Sequence, residues 1–330
     1  FAPDGTAYVV DAFGSLANAK TDRLLAVGRD RRATEIAIDR ALGAQSLHGV
    51  GLDATGQLYL LAQTAARENR LLKRATGGAW SQVASWPSGD RQESSSLAIA
   101  PDGTAYVTDH AGGRIMRISP TGQVGSAAGA GGPAATAALD EPGQLALAPD
   151  GTLYVYDGGS GRVFALRTDG SWKPWAGASG AVSRSGDLTA IALNGPLAVV
   201  PDEAGFTFTE SQGYAIKRFD GSQVLTVAGN GRGFAGDGGP ALSARLNGPT
   251  GVARHQGTTW VLDPVNNALR KIAPDGTITT VVGPGSRLLS DPRAEDALVL
   301  PEGLAIAPDG RMAIVDPGAN RVVILPAGSF

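Results

Sequence analysis

The chain is written in short apolar runs, each closed by a turn rich in glycine, and one run recurs along its length. It reads FAPDGTAYVVD from Phe1, LAIAPDGTAYVTD from Leu97, LALAPDGTLYVYD from Leu145 and LAIAPDGRMAIVD from Leu304. Weaker copies begin at Val50 (VGLDATGQLYLLA), Leu197 (LAVVPDEAGFTFTE) and Val252 (VARHQGTTWVLD). The turn glycines are Gly5, Gly56, Gly103, Gly151, Gly205, Gly257 and Gly310, at successive spacings of 51, 47, 48, 54, 52 and 53. Repeats of about 50 residues are the length of a propeller blade.

Each repeat reads as four strands. A short apolar strand meets an Asp-Gly turn, whose residues supply the positive φ that a hairpin needs. The second strand carries an aromatic residue three places after the turn glycine: Tyr8, Tyr59, Tyr106, Tyr154, Phe208 and Trp260, with Ala313 in the last unit. A period of two puts these rings on one face, where they pack between blades. A second turn, such as Asp169-Gly170 or Asp275-Gly276, leads to an outer strand such as Val224–Val227. The expectation is an all-β propeller of four-stranded antiparallel blades, seven by count with six as the alternative, in one domain over 1–330. Phe1 falls near the end of an inner strand and Phe330 precedes any last outer strand. Blades of a propeller close on one another, so a segment upstream of Phe1, and a longer protein, are expected.

The second strand usually ends in a carboxylate: Asp11, Asp109, Asp157, Asp263 and Asp316, with Glu210 one place early in unit five and Ala62 in unit two. Arginine often opens the third strand, as at Arg23, Arg70, Arg114, Arg162 and Arg321. A carboxylate repeated in most blades with a following arginine is read as a structural cap.

Composition narrows the chemistry. The 47 Gly and 20 Pro suit a chain of tight turns, and 42% hydrophobic residues with 18% charged argue for a packed core. A net charge of −3 gives no electrostatic basis for nucleic acid or an anionic membrane. The absence of cysteine excludes disulfides, thiolate metal sites and a Cys nucleophile. No apolar run has the length of a membrane span, so no direct membrane insertion is expected. No G-x-S-x-G elbow is present, and Gly229-x-Gly231-x-Gly233 lacks the Lys-Ser/Thr of a phosphate loop. It is read as a flexible connection between blades.

The order of PDG turn, aromatic-Val-x-Asp, Arg-Ile/Val and DG-x-I/V-T-x-V-A-G resembles the NHL repeat. The stretch TVAGNGRGFAGDGGPALSARLNGPTGVA, Thr226 to Ala253, is similar to the bacterial variety with a GDGGPA loop, and shorter relatives lie at 128–138 and 283–300. The resemblance covers nearly the whole chain and implies a propeller, usually of six blades. Members include receptor and sensor ectodomains, RNA- or protein-binding modules and a zinc-dependent peptide lyase. Similar six-bladed propellers include calcium-dependent lactonases and strictosidine synthases. The lyase's set of channel histidines is absent here apart from His48.

Ligands of propellers gather at one channel mouth, beside the starts of the inner strands. Aligning the units puts His48, Ser95, Gly143, Gly195, Thr250 and Glu302 at equivalent places, and with Gln144 they are the candidate rim. Arg232, Phe234, Asp237 and Arg245, in the long loop Gly229–Asn247, are candidate partner contacts; Gly283–Pro301 is the second long loop. The leading expectation is a non-catalytic binding or scaffold propeller, bacterial and extracytoplasmic or secreted, for a protein, peptide or glycan. The alternative is an enzyme at the channel mouth, a metal-assisted hydrolase or lyase or a synthase-like activity. No cofactor or metal is expected, with a calcium site as the lesser alternative.

Overall fold

The computed structural model describes residues 1–11, 22–30, 32–87, 96–129, 139–176, 193, 196–202, 205–220, 223–283, 298–316 and 321–327. It is a β-propeller of seven antiparallel sheets taken in chain order, matching the count of repeats. Their strands span 7–35, 44–87, 97–129, 142–176, 196–228, 251–282 and 303–325. Sheets two to six have four strands each; among the described residues, sheets one and seven have three. Contacts divide the chain into two compact units, Phe1–Lys173 and Pro174–Phe330, with the division inside the last strand of sheet four, Trp172–Ala176.

The turn chemistry is what the repeat predicts. In Ala100-Pro101-Asp102-Gly103 the Gly103 N–H donates to Ala100 O at 2.9 Å, and Asp102 Oδ1 accepts from the Thr104 N–H at 2.8 Å. Gly103 stands at φ 84°, and Gly5, Gly151 and Gly310 repeat that angle within a degree. A side chain there would strain the backbone.

The aromatic set joins each sheet to the next within a unit. Tyr59 packs with Ala105, Val107, Met116 and Ile118 of sheet three, and Tyr106 lies against Leu153, Val155 and Phe164 of sheet four. In the C-terminal unit Trp260 packs with Met312, Ile314 and Leu325 of sheet seven.

Three of the carboxylates that end the second strands are fixed to the chain that leads into their own sheet. Asp157 accepts the Asp140 N–H at 2.7 Å, Asp263 the Asn247 N–H at 2.7 Å, and Asp316 the Val299 N–H at 2.7 Å. All three side chains are fully buried. The residue after each donor, Glu141, Gly248 or Leu300, takes a positive φ of 64°, 67° or 52°, and proline follows each time. The carboxylate therefore clamps a turn that aims the chain into the inner strand.

The cationic partner differs from the expected one in two sheets. Arg114 follows Asp109 by five residues and pairs with it at 2.7 Å, as expected. In sheets five and six the third strand opens with alanine, and the cation comes two places later. Lys217 meets Glu210 at 3.1 Å, and Arg270 lies 3.8 Å from Asp263. A step of two keeps the side chain on the same face of the strand.

Replacing Asp316 with alanine removes the buried acceptor that holds the Val299 N–H, so stability is expected to fall by about 1–3 kcal/mol. Asparagine, which keeps an acceptor oxygen, is expected to cost less. Urea unfolding of the two variants beside the wild type measures the difference.

Candidate binding face

Antiparallel order brings the start of the first strand, the second-to-third connection and the end of the fourth strand to one end of each sheet. In the C-terminal unit that end is built by the loop 229–247, the turn Pro264–Asn266 and residues 298–302.

The long loop is tightly tied rather than loose. The Gly229 N–H donates to Ala241 O at 3.0 Å, Asn230 N–H to Ala244 O at 2.7 Å, and Gly233 N–H to Leu246 O at 3.0 Å. Ala241, Ala244 and Leu246 are buried among Ile216, Val252, Val261 and Ile278. The Gly-x-Gly-x-Gly spacing thus belongs to a folded connection, and its backbone shows why glycine is needed: Gly231 and Gly233 stand at φ 113° and 146°.

Arg270 is the strut under this loop. Its side chain is fully buried, and Nη2 donates to Asp237 Oδ1 at 2.7 Å and to Ala235 O at 3.4 Å. The guanidinium lies 4.9 Å from the centre of the Phe234 ring, within cation–π range. Asp237 Oδ1 also accepts from Thr280 Oγ1 at 2.9 Å. Asp263, on the other side of the guanidinium, accepts from Asn266 Nδ2 at 2.8 Å, and burial pushes its carboxyl above the ordinary range. One cation therefore joins a strand, the clamp carboxylate and the loop.

The candidate loop residues separate by role. Asp237 is committed to Arg270 and Thr280. Arg232 donates to Asn247 Oδ1 at 3.2 Å, and the stem of Arg245 lies along Gly233. Phe234 rests one side on Arg270 yet remains 43% exposed.

Two residues absent from the sequence-based set stand beside it. Asn266 Nδ2 donates to Gly233 O at 2.8 Å, which brings the turn carrying Val265 to the Phe234 segment. The Leu300 N–H donates to Asn267 Oδ1 at 3.0 Å, which brings residue 300 to the same turn. Val265 is 54% exposed and Leu300 53%. Three hydrogen-bonded segments each present an uncovered apolar side chain. The cue for Leu300 is its place in the repeat, aligned with Gly248 and followed by proline.

The candidate rim residues divide between the units, and each is described in its own. Thr250 and Glu302 occupy matching places, their N–H groups donating to Leu262 O at 3.2 Å and Val315 O at 3.0 Å. Thr250 Oγ1 is buried without a hydrogen-bond partner, while the Glu302 side chain is exposed. In the N-terminal unit His48 sits at a break in strand register between Leu47 and Gly49. Its Nε2 is buried and has no hydrogen-bond partner. Gln144 lies at a similar break between Pro142 and Leu145 and is exposed. Ser95 and Gly195 lie outside the described residues, as does most of Gly283–Pro301. Among the described residues no three His, Asp or Glu side chains are grouped to hold a metal ion, and no helix is long and apolar enough to cross a membrane.

Burial lowers the His48 pKa, against the pull of the Asp22 carboxylate. The unfolded chain takes up a proton at this residue below about pH 6.5, before the folded one does. Stability is thus expected to fall as pH drops through that value and to level off below the folded pKa. Urea midpoints from pH 5 to 8 should show His48→Gln losing that part of the slope. Arg270→Met leaves Asp263 without its cation, for an expected loss of about 3–5 kcal/mol. Adding Asp263→Asn should recover part of it in the same assay.

No protein-family model matches the chain, and no curated protein matches its sequence. Solved propellers do match in structure. A streptogramin B lyase superposes with a TM-score of 0.61 at 14% identity, covering 96% of this chain and 91% of that one. Virginiamycin B lyase from Staphylococcus aureus, in a catalytically inactive form with quinupristin, gives 0.61 at 13% identity over 96% and 94%. An auxiliary nutrient binding protein from Bacteroides ovatus gives 0.57 at 13% identity over 92% and 83%. At such identities the likeness is one of fold, and it includes both an enzyme and a binding protein.

Proposed function

We propose that this chain is a non-catalytic binding propeller of the NHL-repeat type that recognises a protein or peptide partner through the apolar face at Phe234, Val265 and Leu300. Leu300 carries the reading. Its φ of 52° is a conformation that costs a residue with a Cβ about 1–2 kcal/mol. The aligned residue in sheet six is glycine, yet here the chain keeps an exposed leucine beside two other exposed apolar side chains. Backbone strain held together with solvent-facing apolar surface marks a contact site better than a structural one. Arg270 supports the same reading, since it fixes the loop bearing Phe234 before any partner arrives and so lowers the ordering cost of association. The GDGGPA loop and the repeat order support the NHL assignment, and the bacterial nutrient-binding neighbour is in keeping with an extracytoplasmic setting.

A second reading, a lyase-like enzyme, draws on His48. A neutral imidazole with a buried, unpartnered Nε2 has the form of a general base. Thermal unfolding with Ca²⁺, Mn²⁺ or Zn²⁺ tests its metal-assisted form, because a bound ion raises apparent stability.

The binding reading is tested by panning a phage-displayed peptide library on the wild-type chain and measuring the enriched peptides by calorimetry. Apolar sequences that lose about tenfold or more in affinity for Phe234→Ala and Leu300→Gly are the expected result. Peptides that bind the variants equally well would overturn it. Leu300→Gly relieves the strain at about 1–2 kcal/mol and costs about 0.4–1 kcal/mol in unfolded-state entropy. Its net expected effect is a gain of roughly 0.5–1 kcal/mol together with the loss of binding.

A further inference from the structure

Directly opposed residues on neighbouring strands point to the same face of a sheet, and one such file crosses sheets two, three and six. In sheet two it is Tyr59, Lys73 and Ser81, and in sheet six Trp260, Lys271 and Thr279. Both lay the lysine over the ring, Nζ standing 5.2 Å from the centre of Tyr59 and 5.6 Å from that of Trp260. Sheet three has Tyr106, Arg117 and Gly125. Here the cation is not spent on the ring: Arg117 is exposed and makes no side-chain hydrogen bond, ion pair or ring contact.

The last member of the file decides what space is left. Ser81 and Thr279 carry a side chain on the outer strand, whereas a Cβ added at Gly125 would meet no atom within 4 Å. The face of sheet three thus opens beside Arg117 into a cleft of about 520 Å³. Sheet four forms the other side with Gly151 and residues 166–168 and 170. Tyr106 packs against Leu153, Val155 and Phe164 of sheet four, so the cleft continues the packed seam between the two sheets outward. It lies at the end of sheet four that carries the Asp-Gly turns, opposite the end that carries Gln144.

The charge of this recess is one-sided. Among the described residues Arg117 and Arg167 are the charged groups of its wall, one from each sheet. Asp150 and Asp169 lie in the adjoining turns of sheet four, but neither lines the cleft or pairs with an arginine. Asp150 accepts the Thr152 N–H and Asp169 the Ser171 N–H, each at 2.8 Å. The Ser171 hydroxyl and N–H, with Arg167 a lesser influence, hold the Asp169 carboxyl below its ordinary range. The rest of the wall is uncharged and includes Tyr106, Ala127 and Leu166.

We propose that this cleft binds a small dicarboxylate, with one carboxylate on Arg117, the other on Arg167 and the carbon chain against the uncharged wall. Guanidinium forks match carboxylates through paired, charge-assisted hydrogen bonds. Two forks carried by different sheets favour an anion charged at both ends over a compact one. The volume is in the range of small-ligand pockets. The site belongs to the N-terminal unit and is independent of the apolar face at Phe234.

Calorimetry of the full chain at low salt with succinate, glutarate and adipate tests this. Saturable binding of at least one diacid is expected, weakened about fivefold by Arg117→Ala and again by Arg167→Ala. Both arginines are exposed, so the thermal midpoints of these variants are expected to be unchanged. Butyrate and inorganic phosphate should bind about tenfold more weakly than that diacid, or less. Gly125 is not at positive φ, so Gly125→Val is expected to keep the thermal midpoint while filling the recess and abolishing binding. The proposal is overturned if none of the diacids binds, or if the double arginine variant or Gly125→Val binds as the wild type does. Phosphate or butyrate binding as tightly as the diacid also overturns it, since a single charge would then suffice.

Discussion

The fold depends on a buried carboxylate that reaches back to the backbone. Asp157, Asp263 and Asp316 each accept an N–H from 16 or 17 residues earlier, at the point where the chain enters the inner strand. Burying an ionised group is costly unless donors surround it. At Asp157, burial raises the pKa while Ser160 and the Asp140 N–H act against the rise. What the interaction secures is geometry. It holds the following residue at positive φ and sets where the first strand begins, which four strands and an apolar core alone would leave free to slip. The site at the end of the C-terminal unit follows from the same device, because Asn247 and Val299, the clamped donors, immediately precede Gly248 and Leu300.

Arg270 shows how a repeat is adapted without being broken. In sheet three the carboxylate at the end of the second strand, Asp109, has a cation five residues on, partly open to water. In sheet six the cation moves two places along the same face and becomes fully buried. From there one guanidinium reaches Asp263, Asp237 and the Phe234 ring together. The shift costs desolvation, and it leaves Nε and Nη1 without hydrogen bonds. Its return is an ordered loop of 19 residues whose tip can present Phe234 in one place. A residue of the blade framework has become the support of the loop that carries Phe234.

The blades were legible in the sequence because their determinants are local. Asp-Gly at a turn, an aromatic three places later and a carboxylate at the strand end each act within a dozen residues. The clamp's acceptor was legible as a position, but its donor was not, since a backbone N–H has no letter. Arg270 was hidden for a related reason: the repeat sets arginine five residues after the carboxylate, and only the parity of a strand makes seven equivalent. Leu300 gave less warning still. Nothing about leucine announces positive φ; only its alignment with Gly248 and the following proline did. Asp237 read as a contact for a partner, and the groups it meets in the structure are Arg270 and Thr280 within the chain.

A repeated architecture with variable decoration leaves function to the places where repeats disagree, and the disagreements here are chemical as well as geometric. Where sheets two and six satisfy a cation with an aromatic ring, sheet three sets an arginine opposite glycine. Where sheet six turns with Gly248, sheet seven turns with an exposed leucine. Each departure gives up a local contact or accepts local strain and leaves a group able to act on something outside the blade. A propeller blade does not need either group for its own packing, since its neighbours fold with the ordinary choice at the same position. On the reading proposed above, the binding chemistry lies in these exceptions, and the clamp that makes the blades alike is what makes them readable.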